Sequence, residues 1–206
     1  MTLLERLSPE VIFAEIPKSH AARYANGSHG NLESLAVAKF SRRHRVSVVP
    51  VDRDEPSIEF FQATRELFER VERASGDYRA LVDHHSECVK KGGLPYLNSN
   101  ASAKACFDIH NEVRATIEWV RAPHLQVVYD RWLDEIELRD QEMLMNIKQY
   151  AANSALVTGV FLVGAAHRRS IIEKALTDRD IGHSPVKWQL ELPSKLFASP
   201  GYRDGN

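Results

Sequence analysis

The stretch that most constrains this chain is Val160-Phe161-Leu162-Val163-Gly164-Ala165-Ala166-His167. Four large apolar residues in an unbroken run predict a strand buried on both faces, as in a parallel sheet covered by helices. Gly164-Ala165-Ala166 then ends the run with side chains small enough for a tight turn and a close backbone approach. His167 follows at once, ahead of Arg168-Arg169 and a helical pattern from Arg169 to Leu176. In open α/β sheets ligands bind at the carboxyl ends of strands. This run therefore reads as the central strand, with a site where it stops.

Two more apolar runs complete the sheet. Val11-Ile12-Phe13-Ala14-Glu15-Ile16 is closed by Pro17, and Val46-Ser47-Val48-Val49-Pro50-Val51 ends in Asp52-Arg53-Asp54. Between them Leu32, Leu35, Ala36 and Phe40 recur at helical spacing over Asn31 to Arg43, and Arg42-Arg43-His44-Arg45 sits where cations oppose the helix dipole. Strand, helix, strand at this spacing is a βαβ unit, so the first two strands are expected to be parallel. Glu15 needs a partner, because an ionised carboxylate inside a buried strand is costly unless paired.

The middle of the chain reads as helices. Ser57 to Ala74 carries Ile58, Phe61, Leu67, Phe68 and Val71 on one stripe, with Ser57 and Glu59 as its start. A shorter helix over Asp77 to Cys88 is expected to stop before Gly92-Gly93 and Pro95, and Leu94 to Ala101 has no clear pattern. Phe107 to Val120 is helical up to the breaker Pro123. From His124 to Ala151 the stripe Leu125, Tyr129, Trp132, Ile136, Arg139, Met143, Ile147, Tyr150 alternates three- and four-residue steps. Arg139 thus fills a slot that its neighbours give to apolar groups, and an inward arginine calls for a carboxylate or anion. Val186 to Leu192 alternates with period two, as an edge strand does, and residues 193–206 read as a tail.

Composition fits an α/β fold with a mostly parallel central sheet flanked by helices, in a single domain over residues 1–192. The 206 residues include 43% hydrophobic and 27% charged side chains, a globular balance. The net charge of −1 gives no electrostatic case for nucleic acid. Cys88 and Cys106 share no motif spacing, which fits a reducing, cytoplasmic setting rather than a disulfide framework. The opening Met-Thr-Leu-Leu-Glu-Arg lacks the features of a signal peptide, and no apolar run is long enough to span a membrane.

Ionisable groups end each strand-like run: Glu15, then Asp52 with Arg53 and Asp54, then His167. In a parallel sheet these collect at one edge, and Arg139 is a natural fourth member. Such a set suits divalent-metal binding, carbonyl polarisation or general acid–base chemistry. Any one of them, taken alone, is more often an ordinary solvated strand end than a catalytic group. The rest is weaker. His84 and Cys88 lie four apart on a helix, but further metal ligands are lacking and a solvated face is the simpler reading. Gly27-Ser28-His29-Gly30 reads as a flexible loop, and Ser41, Ser170 and Ser184 have no nucleophile-elbow context.

These pieces resemble the superfamily of TraB/PrgY, Tiki, ChaN and erythromycin esterase. The resemblance rests on Gly164-Ala165-Ala166-His167, on Arg139-Asp140-Gln141-Glu142-Met143, on the strand ending in Glu15, and on Val49-Pro50-Val51-Asp52-Arg53. It implies an α/β hydrolase of metal-dependent peptidase or esterase type, acting on a peptide or a small ester. Glu15, Arg139 and His167 would be catalytic, His167 and Glu15 would hold the metal, and Asp52, Arg53 and Asp140 would support them. The same likeness admits a non-catalytic protein that binds haem or a peptide at this edge. The family's first strand, with its own Gly-x-x-His, has no counterpart ahead of Val11. That departure implies a truncated or degenerate member, with an exposed sheet edge covered by a partner strand or a homodimer.

Overall fold

The computed structural model describes residues 3–155, 158–180 and 185–191. Ser184, Leu192 and the tail over 193–206 lie outside them. The fold is α/β. Its elements are α1 (Leu3–Leu7), β1 (Val11–Ala14), α2 (Ala21–Ala25), α3 (Leu32–His44), β2 (Ser47–Pro50), α4 (Ile58–Ala74), α5 (Gly76–Leu97), α6 (Asn100–Val120), α7 (Pro123–Ala152), β3 (Gly159–Leu162) and α8 (Arg168–Asp180). Short 3-10 turns cover Lys18–His20 and Ala165–His167. Among the described residues no helix is long and apolar enough to cross a membrane.

The chain packs as two compact units. Among the described residues the first takes 3–54, 141–155, 158–164, 172–180 and 185–191; the second takes 55–140 and 165–171. In the first unit the three strands form a parallel sheet in the order β2-β1-β3. Val11 lies opposite Ser47 on one side and Gly159 on the other. The first two strands are parallel, as the βαβ spacing predicts. The buried centre is β1, not the Val160 run. Every residue of β1 is buried, whereas β3 runs from exposed Gly159 to half-buried Leu162. The reason is position. Among the described strands only β1 has a neighbour on each side.

Both faces of β1 are covered, so its apolar run is continuous rather than alternating. Ile12 and Ala14 pack with Ile16, with Tyr24 of α2, and with Val37 and Phe40 of α3. Phe13 points the other way and meets the Tyr150 ring of α7 edge-on at 5.3 Å. Gly159 belongs to that second face: a Cβ there would lie 2.8 Å from Phe13 Cε2 and 3.1 Å from Val11 Cγ1. A glycine is what lets β3 sit so close to β1.

The second unit is helical. Leu67 and Val71 of α4, Val113 and Ile117 of α6, and Leu125 and Tyr129 of α7 form its core. Its helices α4, α5 and α6 start on side-chain caps that satisfy an otherwise orphaned N–H: Ser57 accepts from Phe60, Ser75 from Tyr78 and Ser99 from Ser102, as Asn31 accepts from Ser34 at the start of α3 in the first unit. The α4 stripe differs from expectation at its start. Ile58 and Phe61 are 67% and 47% exposed, and Phe60 is buried instead. Residues 60, 67 and 71 share a face, so the first turn is set by Phe60.

Three boundaries also move. The α5 helix does not stop at Cys88. It continues to Leu97 across a break at Gly93, whose φ of 52° and ψ of −141° suit glycine. The α6 helix begins at Asn100, seven residues before Phe107, on the Ser99 cap. Residues 186–190 form no strand, although Val186, Trp188 and Leu190 are half-buried and Lys187 and Gln189 exposed. The alternation records a segment lying with one side inward, without a ladder.

Candidate functional site

The carboxyl ends of β1 and β2 carry Glu15, Asp52 and Arg53 in the first unit. The sheet ladder continues one step beyond its formal ends. Glu15 N–H donates to Leu162 O at 3.1 Å, Val51 N–H to Ala14 O at 3.1 Å, and Asp52 N–H to Ile16 O at 3.2 Å. Glu15 finds the partner its position calls for: Gly164 N–H donates to its Oε2 at 2.6 Å. The carboxylate therefore anchors the first residue of the Gly-Ala-Ala-His segment. Asp52 is 8% exposed and accepts the Arg53 N–H on Oδ1 at 2.9 Å. Arg53 Nε faces Glu142 Oε2 of α7 at 3.8 Å, and Asn146, one turn on, donates to Val51 O at 2.8 Å. These contacts hold the end of β2. They give Asp52 and Arg53 a structural task.

The same unit holds a cluster that sequence reasoning missed. Tyr24 is buried, donates to Glu33 Oε1, and stands edge-on to the His29 ring at 5.8 Å; His29 meets His20 at 5.5 Å. Burial pushes the Tyr24 hydroxyl well above its ordinary range, with the Glu33 hydrogen bond, the Glu33 charge and the Glu15 charge adding to it. The expected flexible loop over Gly27 to Gly30 is instead two left-handed glycines, φ 83° and 94°, that set His29 against these rings. Nothing in the local pattern marks it, because the partners come from separate turns.

In the second unit α7 presents a carboxylate and the Ala165–His167 turn presents an imidazole. Asp140 is 0% exposed and His167 is 7% exposed. His167 Nδ1 and Asp140 Oδ1 are 2.5 Å apart. The first residues of α8, directly after the turn, are fixed against α6. Arg168 Nη1 donates to Asn100 Oδ1 at 3.4 Å, and the Arg169 guanidinium lies 4.7 Å over the Phe107 ring. Sequence reasoning gave the inward slot to Arg139, which is half-buried, whereas its neighbour Asp140 is the fully buried member. The reason is helical drift. A strict three- and four-step stripe has a period of 3.5, and a straight α-helix of period 3.6 drifts about 20° per heptad. Leu133, Asp140 and Ile147 lie seven apart in the sequence, and Asp140 is three and four steps before the buried Met143 and Leu144. That register was available in the sequence.

Of the six residues expected at the site, the structure joins Asp140 to His167. Arg139 lies beside Asp140 on α7 and in the same unit, while Glu15, Asp52 and Arg53 belong to the other unit. A carboxylate on Nδ1 fixes which ring nitrogen bears the proton and leaves the lone pair on Nε2. It also stabilises the imidazolium that forms when Nε2 takes up a proton. This is the arrangement of an oriented general base. Among the described residues no three His, Cys, Asp or Glu side chains converge as a metal-ligand set. Comparison of the chain with protein-family models, with curated proteins and with solved structures returns no match.

Proposed function

We propose that this protein is a hydrolase of esterase or peptidase type in which His167 is the general base and Asp140 its positioning residue. The observation that carries the reading is the buried pair itself, His167 Nδ1 to Asp140 Oδ1 at 2.5 Å. Nε2 takes a proton from water as its oxygen attacks the carbonyl carbon, and the imidazolium then returns that proton to the departing alkoxide or amine. Asp140 offsets the positive charge while it lasts. Arg139, the next residue on α7, is the cation assigned to the oxyanion, in keeping with the likeness to the TraB, ChaN and erythromycin-esterase group.

The test is turnover of p-nitrophenyl esters of graded chain length and of a peptide library, for the full chain and for His167→Gln and Asp140→Asn. General-base catalysis contributes about 10²–10⁴-fold, so His167→Gln should lose on the order of that factor while staying folded. Asp140→Asn should lose a smaller share in kcat with KM unchanged. Turnover that survives in His167→Gln contradicts the reading. So does a parent chain that turns over no ester or peptide but gives a Soret band on hemin titration, which would favour the haem-binding alternative.

A further inference from the structure

In the second unit the inner face of α7 has its partners: Leu125 and Tyr129 are buried in the core, with Trp132 and Leu133 packed against it. A surface helix that keeps its apolar stripe inside normally turns charged and polar groups outward. The outer side of α7 departs from that. Val127 and Leu138 are 67% and 48% exposed, and Arg131 and Asp134 between them are exposed as well. Steps of four, three and four residues set all four on one line along the helix. The line borders α4. The Arg131 guanidinium lies 5.6 Å over the Phe60 ring, and Phe68 meets Trp132 edge-on at 5.2 Å. Phe61, on the Phe68 flank of α4, is exposed beside it.

The order Val127, Arg131, Asp134, Leu138 is its own complement when reversed. A two-fold axis between Trp132 and Leu133 sets Val127 against Leu138 of the partner subunit and Arg131 against Asp134 of the partner subunit. Symmetry makes each contact twice. Parallel, in-register helices would instead oppose arginine to arginine and aspartate to aspartate, so the charges select the antiparallel pairing. Among the described residues neither Arg131 nor Asp134 is ion-paired within the chain. Asp130 and Glu137, both acidic, lie on one border of the line, where water and salt screen them.

We infer that this face of α7, with Phe61 beside it, is a docking surface for a second copy of the chain, the two helices running antiparallel. The Val127–Leu138 contacts supply the apolar attraction, and the two Arg131–Asp134 pairs fix direction and register. So small an apolar contact belongs to the reversible, concentration-dependent class of interface. None of these residues belongs to the His167–Asp140 pair, and the inference is independent of the hydrolase reading.

The experiment is sedimentation velocity of the native full chain over roughly a hundredfold range of micromolar concentrations. It is run on the parent, on Arg131→Glu, on Asp134→Arg, and on an equimolar mixture of the two variants, with circular dichroism to show that each is folded. The parent should pass from monomer to dimer. Each variant alone opposes like charges at both pairs and should associate roughly a hundredfold or more weakly. The mixture should dimerise again, because the new carboxylate of one chain then meets the new guanidinium of the other while the native Arg131–Asp134 pair forms across the axis. A parent that stays monomeric throughout would overturn the proposal and leave this face to a different protein. So would a dimer that both variants retain, or two dissociated variants that do not pair when mixed.

Discussion

Replacing His167 by alanine should lower stability by about 3–5 kcal/mol, because it leaves the buried Asp140 carboxylate uncompensated. The figure follows from Asp140. Its side chain is 0% exposed and its Oδ2 has no hydrogen-bond partner, so the carboxylate depends on the bond from Oδ1 to His167. A hydrogen bond to a charged group contributes about 1.5–3 kcal/mol, and the stranded carboxylate adds its own desolvation cost. For a chain of 206 residues the loss corresponds to a fall in Tm of roughly 6–20 °C. Thermal and urea unfolding followed by circular dichroism would read it. The double change Asp140→Leu with His167→Leu removes both polar partners and should recover much of the loss, because no buried group is then left unpaired. A single-mutant loss below about 1 kcal/mol, or a double mutant that merely sums the two single losses, would refute the buried-pair argument.

Other expectations follow from single contacts. Gly159→Val should destabilise by about 1–3 kcal/mol, read by urea unfolding, because its Cβ would enter the Phe13 ring 2.8 Å away. Ser57→Ala should cost about 1 kcal/mol through loss of the α4 cap that receives the Phe60 N–H. Arg45→Gly should raise stability by about 0.5–1 kcal/mol, since Arg45 ends α3 at φ 56°, a left-handed conformation that suits glycine. His110 is held below its ordinary pKa by burial, with the Arg114 charge adding to it. The folded state thus binds this proton less readily than the unfolded chain. The associated stability is present above the ordinary value of 6.5 and is lost as pH falls below it. Unfolding midpoints measured from pH 7 to pH 5 should show a slope that His110→Phe reduces.

How much of this is legible in the sequence depends on whether the signal is local. The Val11 run, α3 and the Val46 to Val51 run are readable because periodicity and spacing act within a few residues, and the parallel pairing of the two strands follows from the crossover between them. The length of α7 is readable for the same reason. Which strand is central is not, since Val160-Phe161-Leu162-Val163 is as apolar as Val11-Ile12-Phe13-Ala14. Only the pairing order β2-β1-β3 separates them. His167 shows itself by its place after a strand. Its partner lies one residue off the apolar stripe, because a count of 3.5 per turn drifts along a helix whose period is 3.6. Tyr24, His20 and His29, and Tyr96 with His85, meet across turns built on glycines with positive φ. Such turns show in a sequence as breaks, not as the contacts they create.

The most direct test of the central claim is the tautomer of His167, read from nitrogen-15 NMR of the histidine rings at a pH where the ring is neutral. The Asp140 carboxylate should hold the proton on Nδ1 with the lone pair on Nε2, and Asp140→Leu should abolish that preference. A neutral His167 protonated on Nε2, or a ring indifferent to the change at Asp140, would contradict the account.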